Sequence, residues 1–266
     1  MDYKDVKRGL PQRSSTVFAV INQKGGVGKS TTVVNLAACL GEGKKKVLVV
    51  DFDPQGNATS GFGVEKDELE ADIYDVILHD VPIEGLIQQT CAKNVFIVPA
   101  TIQLATAEIE LVSLEHRESL LKACVERVRD DFDYVIIDCP PSLGLLTINA
   151  LVAADSMIIP IQCEYYALEG VAKLLETMQM VKRRMNPDLE IFGVVMTMYD
   201  SRTTLSKQVV DEVQAYFGKK MFKSIIPRNV KLSEAPSHGL PVSMYARVSK
   251  GSLAYSKLAR EVVARG

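Results

Sequence analysis

Six short apolar runs place the tightest limit on how this chain of 266 residues can fold. Residues 17–21, 47–51, 95–98, 134–138, 157–161 and 192–196 are rich in β-branched side chains and do not alternate with polar ones. A strand with one wet face alternates; a strand buried on both faces does not, and such strands belong to parallel sheets covered by helices. Helical spacing fills the gaps, at 32–40, 72–78, 107–129, 145–153, 168–185, 203–217 and 252–264. Strand and helix therefore alternate, which predicts an α/β, doubly wound, mostly parallel sheet flanked by helices. A 47% hydrophobic content supplies material for one sizeable core, and no repeat or Pro/Gly-rich linker divides the chain. The expected organisation is one domain over 16–266. Residues 1–15, which include Gly9, Pro11 and paired serines and lack hydrophobic periodicity, read as a flexible lead-in.

Between the first run and the first helix lies Gln23-Lys24-Gly25-Gly26-Val27-Gly28-Lys29-Ser30-Thr31. A strand that turns through glycines into a helix aims several backbone N–H groups, and the positive end of the helix dipole, at one spot. That spot suits a phosphate. Lys29 can reach the outer phosphates and the Ser30 hydroxyl can serve a Mg²⁺ ion, as in a P-loop. The common form of that loop has glycine where this chain has Gln23, and Lys24 is additional.

Open α/β sheets bind ligands beyond the carboxyl ends of their strands. Asp51, Asp53 and Asp138 end or follow two of the runs there. If strand geometry continues through Asp53, its side chain and that of Asp51 face the same way. The three carboxylates are candidates for holding Mg²⁺ with its waters and for orienting a water that attacks a terminal phosphate.

The stretch from Lys24 to Thr31 resembles the deviant P-loop of the ParA/MinD ATPases. Asp51-Phe52-Asp53-Pro54-Gln55-Gly56-Asn57, Asp138-Cys139-Pro140-Pro141-Ser142 and the stretch Ile226 to Ser237 resemble the ParA/Soj chromosome-partitioning branch, and the likeness spans roughly residues 16–264. The resemblance implies a P-loop NTPase that takes ATP and Mg²⁺ and closes as a nucleotide-sandwich homodimer. It implies that Lys29 neutralises phosphate charge in cis and that Lys24 does so across the dimer in trans. Asp53 would position or activate the attacking water, with Ser30, Asp51 and Asp138 at the metal. The loops 54–59 and 139–144 would be the two switches, and Pro227 and Asn229 would line the adenine pocket. Double-stranded DNA bound without sequence preference and a ParB-like centromere-binding protein are the implied partners, at the nucleoid in the cytoplasm. Arg202 and Lys231 match DNA-contacting positions of the branch, and Lys250 joins them on the basic face.

Charge agrees with such a face. Residues 200–266 hold 12 Lys+Arg and 5 Asp+Glu, a net of +7, against 19 and 28, a net of −9, for residues 1–199. No apolar run approaches the roughly 18 residues of a membrane span, and 1–15 has no signal-peptide core. A membrane-positioning ATPase of the MinD type would need an amphipathic anchor, and the tail from Leu253 to Gly266 has few bulky apolar residues for it. A biosynthetic or electron-transfer enzyme on the same scaffold is the other alternative. Five cysteines without a C-x-x-C pair predict free thiols, and Cys139 has no second motif that would make an iron–sulfur ligand set.

Overall fold

The computed structural model describes residues 15–165 and 167–266, so the expected flexible lead-in lies, but for Ser15, outside the described residues. The strands are β1 (Thr16–Val20), β2 (Val47–Asp51), β3 (Gln88–Gln89), β4 (Val95–Val98), β5 (Tyr134–Asp138), β6 (Ser156–Gln162) and β7 (Glu190–Thr197). They form one sheet in the order β3-β4-β2-β5-β1-β6-β7. Every pairing is parallel except β3 on β4. Six of the seven strands coincide with the apolar runs to within about two residues at each end. The seventh, β3, consists of two glutamines at the sheet edge and carries no apolar signal.

The helices are α1 (Lys29–Glu42), α2 (Asn57–Gly61), α3 (Ile73–Leu78), α4 (Leu104–Glu110), α5 (Leu120–Glu126), α6 (Leu145–Ala153), α7 (Glu169–Arg184), α8 (Thr204–Phe217), α9 (Val230–Glu234), α10 (Val242–Tyr245) and α11 (Lys250–Arg265). Because side chains alternate along a strand, β1 sends Phe18 and Val20 to one face of the sheet and Val17 and Ala19 to the other. The first face packs under α1 and α11, through Val33, Leu36, Leu40, Tyr255 and Leu258. The second packs under α5, α6 and α7, through Leu121, Leu146 and Leu174. This double burial is why the runs do not alternate.

One expected helix, 107–129, is broken into α4, a 3-10 turn at Leu111–Ser113, an irregular stretch and α5. His116 takes a left-handed φ of 54° in the gap. Asn149 of α6 stabilises the break, accepting from the Leu121 N–H and donating to the Arg117 carbonyl. No glycine or proline marks the position, so a residue distant in sequence overrode local helical preference.

The C-terminal helix also settles where its apolar stripe goes. Ala254, Tyr255, Leu258, Ala259 and Val262 of α11 are buried, packed on the α1 side of the sheet. That face is spent in the core. No helix among the described residues is long and apolar enough to cross a membrane.

Candidate nucleotide site

β1 ends in the sheet centre between β5 and β6, and the chain turns at its carboxyl end into α1. Asn22 shapes the turn: its side chain donates to the Pro160 carbonyl at 2.7 Å and accepts from the Lys24 N–H at 3.0 Å. Gly26 and Gly28 have φ of 75° and 90°, a left-handed conformation that L side chains rarely adopt, so glycine is required at both. Thr197, at the end of β7, pins the loop by donating to the Val27 carbonyl at 2.8 Å.

The two lysines of this loop take opposite positions. Lys29, at the start of α1, is 6% exposed and donates to the Lys24 carbonyl. Burial lowers its pKa, and the negative charges of Asp138 and Asp53 pull it back up. Lys24 points out of the loop, with 45% of its side chain exposed, and forms an ion pair with Glu164 in the segment after β6. One cation faces into the cavity and the other stands on its rim.

Asp51 and Asp138 end neighbouring strands and are direct register partners. Both are fully buried, and their surroundings differ. Asp51 accepts from the Thr59 N–H and hydroxyl, each at 2.7 Å, and from the Asp53 N–H at 3.3 Å. Desolvation still raises its pKa to about 6. Asp51, expected at the metal, has its oxygens in the turn into α2 and is not among the residues in the cavity wall. Strand geometry stops at Asp51, so the two carboxylates of Asp51 and Asp53 do not share the orientation a longer strand would impose.

Asp138 has no such partners. Both of its oxygens are buried without a hydrogen bond. Desolvation and the charge of Asp51 raise its pKa well above the ordinary carboxylate value, and the nearby Ser30 hydroxyl relieves this only in part. A buried acceptor with unmet lone pairs, next to a serine hydroxyl and a lysine, is what a hydrated divalent cation would satisfy. Among the described residues no three His, Cys, Asp or Glu side chains are arranged to hold a metal by themselves. The ion would thus need phosphate and water oxygens as further ligands. Asp53 is 4% exposed, lines the cavity, and accepts from the Gln55 N–H at 3.0 Å. Burial raises its pKa, against that hydrogen bond and the charges of Lys29 and Lys66. Cys139 is buried and its thiol is pushed well up, so it remains a protonated thiol.

Two adjoining cavities share Gly28, Thr31, Met198 and Pro236. The first, of about 360 Å³, contains Gly25, Gly26, Lys29, Ser30 and Asp53 in its wall. The second, of about 450 Å³, contains Pro227, Asn229 and Tyr255. Pro227 and Asn229 reach the loop because the segment after α8 runs parallel to β7, with the Arg228 N–H on the Tyr199 carbonyl. Asn229 also caps α9, accepting from the Lys231 N–H at 2.8 Å. Sequence reasoning missed Thr197 and Met198. Met198 has φ 53° and lies between the cavities; nothing local marks it. Sequence reasoning missed Asn22 as well, although an asparagine just ahead of a glycine turn is a signal for a loop-forming side chain.

The basic positions follow β7 in the chain. Arg202 makes a two-pronged ion pair with Asp200, at 2.9 and 2.7 Å, with the Arg202 side chain 85% exposed. Lys231 pairs with Glu234 at 2.8 Å. Lys250, at the start of α11, is exposed and has no carboxylate partner among the described residues. Gly251 abuts Leu232, so α11 and α9 bring Lys250 and Lys231 to one neighbourhood. Exposed pairs of this kind open at little cost when a polyanion competes.

A family model described as an AAA domain matches residues 15–191. The chain is 56% identical over 250 residues to the sporulation initiation inhibitor protein Soj of Bacillus subtilis (strain 168), covering 94% of this chain and 99% of that one. It is 51% identical to the chromosome-partitioning ATPase Soj of Treponema pallidum (strain Nichols), covering 92% and 96%. Its fold is similar to a structure of cobyrinic acid a,c-diamide synthase from Mycobacterium smegmatis with bound ADP and magnesium, with a TM-score of 0.81, 40% identity, and coverage of 92% and 93%.

Proposed function

The chain belongs to the ParA/Soj-type partitioning ATPases, and from that premise we propose that ATP closes two copies into a dimer that grips DNA until a centromere-binding partner triggers hydrolysis. The protein is an ATP hydrolase that uses ATP and Mg²⁺. One observation carries the proposed mechanism: a single loop turns Lys29 inward among carboxylates and Lys24 outward. A lysine turned outward at the rim is placed to serve a triphosphate bound in another subunit.

In this mechanism the N–H groups of the loop from Gly25 to Thr31 and the Lys29 ammonium hold the phosphates. Ser30 and Asp138 would hold Mg²⁺, which would supply charge neutralisation at the phosphates. Asp53 orients the attacking water and takes its proton, and its raised pKa suits a general base. Lys24 of one subunit adds positive charge at the other subunit's phosphates as charge develops, much as an arginine finger does. Pro227 and Asn229 receive the adenine.

DNA contact falls to Arg202, Lys231 and Lys250, through phosphates and without base reading. Two copies in one dimer double the contacts and raise affinity through multivalency. The protein works in the cytoplasm at the nucleoid, with a ParB-like protein as its trigger.

DNA binding measured by anisotropy in ATP, ADP and no nucleotide, at two salt concentrations, tests this. Binding should require ATP and weaken as salt rises, log K falling by roughly 0.9 per phosphate contact for each tenfold increase. Lys29→Ala should lose ATP binding and DNA association together. If that variant holds DNA as the unmodified chain does at the same salt, the coupling is wrong. ATP turnover on a small substrate with no response to DNA would favour the metabolic alternative.

A further inference from the structure

Helix α6 begins without a cap of its own. Its N-cap position is Gly144, with φ −89° and ψ −166°, the extended backbone in which aspartate or serine commonly starts a helix. Glycine has no side chain to offer the free N–H groups of the first turn. A residue from another helix supplies the acceptor. Glu108 of α4 accepts from the Leu145 N–H at Oε2 and from the Leu146 N–H at Oε1, each at 3.3 Å. Its negative charge also suits the positive end of the helix dipole. A Cβ at position 144 would overlap Glu108 Oε2, so a side chain there and the carboxylate in this place exclude each other. The glycine answers to the carboxylate, since its backbone angles are open to any residue.

The base from which Glu108 reaches is firm. Leu104, Ala107 and Leu111 hold α4 in the core and are buried. What Glu108 secures is one end of the loop 139–144. The other end is Asp138, the last residue of β5. Between the two ends, Pro141 forms part of the wall of the phosphate cavity with Lys29, Ser30 and Asp53. The Thr147 hydroxyl donates back to the Ser142 carbonyl, so the first turn of α6 and the loop are joined. Glu108 itself is not in the cavity wall.

We infer that Glu108 is a positioning residue for ATP hydrolysis, which caps α6 from α4 and thereby fixes the far end of the loop that carries Pro141 to the phosphates. Without the carboxylate, the first turn of α6 has unpaired N–H groups and frays. The loop then gains residues, and ordering it around a triphosphate costs more conformational entropy. Lys29 and the turn from Gly25 to Thr31 bind ATP by themselves, so the loss falls on turnover and leaves affinity in place. This inference rests on the reading of 139–144 as a switch; the capping geometry does not.

Steady-state ATP hydrolysis by the full chain with Mg²⁺ tests it, at a temperature below every variant's melting midpoint in circular dichroism. Glu108→Ala should lower kcat about tenfold, the worth of one lost cap, and leave KM for ATP within about twofold. Glu108→Gln keeps one acceptor oxygen and should retain part of the rate. Returning the cap to the place where a helix ordinarily carries it should rescue the reaction. Glu108→Ala with Gly144→Asp should come back to within about threefold of the unmodified kcat. Glu108→Ala with Gly144→Ala fills space at the same position, has no acceptor, and should stay slow. Gly144→Asp alone sets two carboxylates against each other and should be slow as well. Hydrogen exchange at the Leu145 and Leu146 amides should quicken in Glu108→Ala and slow again in the Gly144→Asp double variant.

An unchanged kcat in Glu108→Ala overturns the proposal, as does equal recovery of the two double variants, which would mean that only space mattered. So does a loss carried by KM with kcat intact, which would assign Glu108 to nucleotide binding. The switch reading is checked apart from this. In the unmodified chain, residues 139–144 should exchange more slowly with a non-cleavable ATP analogue and Mg²⁺ than with ADP and Mg²⁺. Equal exchange overturns the switch, and the kcat series still decides whether Glu108 is needed.

Discussion

Replacing Asp138 with asparagine should make the nucleotide-free protein more stable and the nucleotide-bound protein less responsive. Asp138 is fully buried, neither oxygen has a hydrogen bond within 3.5 Å, Asp51 lies directly alongside, and Ser30 and Lys29 offset this only in part. Its pKa is raised, chiefly by desolvation and then by Asp51. Whether the carboxyl stays charged or takes up a proton, folding bears a penalty that a neutral amide avoids. An uncompensated buried charge costs about 3–5 kcal/mol, and a buried unsatisfied amide about 1–3 kcal/mol. Ser30 and Lys29 compensate part of the charge, so the net gain is at most about 2 kcal/mol. Unfolding entropy of roughly 2.1 cal/mol/K per residue, over 266 residues, makes this about 4 °C in Tm. The sign with pH follows from the raised pKa. A carboxyl that prefers its proton when folded destabilises most above its folded pKa, and the penalty fades as pH falls toward the unfolded value. The advantage of asparagine should therefore be greatest above the folded pKa and shrink in acid. Thermal melts followed by circular dichroism in EDTA give the comparison. Adding Mg²⁺ and ATP at about a hundred times Kd should stabilise the unmodified protein by about 2.7 kcal/mol and the variant by much less, reversing their order. A variant that melts lower than the unmodified protein in EDTA at neutral pH would show that Asp138 has a partner when folded, and the reasoning would fail.

Three more outcomes are expected. Lys24→Ala should bind ATP in calorimetry and lose hydrolysis on the order of 10³-fold, since its charge serves another subunit; unchanged turnover would remove the trans role. Lys66→Met frees the Gln55 carbonyl and removes a cation that holds the Asp53 pKa down, so the acid limb of the hydrolysis profile should move to higher pH. An unmoved limb would mean that Asp53 is not the titrating base. Gly193→Ala would place a Cβ 2.4 Å from the fully buried Phe222 ring and should cost about 1–3 kcal/mol in urea melts; a neutral result would mean that the ring can yield.

The sheet was readable because burial on both faces writes itself into the residues: β2, β4 and β5 begin and end where their apolar runs do. β3 was not, since two edge glutamines bury too little to leave a pattern. The break between α4 and α5 was hidden for a different reason. Asn149 lies about thirty residues downstream of it, and its side-chain hydrogen bonds cannot be inferred from helical spacing. At the site, the left-handed glycines and Lys29 were legible from the turn they must build, whereas Asp51 and Asp138 look equivalent in sequence.

The amino-acid sequence alone settled the alternation of strands and helices, the phosphate-binding turn and the family, because each depends on residues close together along the chain. Tertiary structure decided what each charged group does. It left Asp138 only partly compensated by Ser30 and Lys29 while Thr59 occupied Asp51, and it turned Lys24 outward to Glu164. The energy of a buried charge depends on the atoms that face it, and those come from elements far apart in the chain.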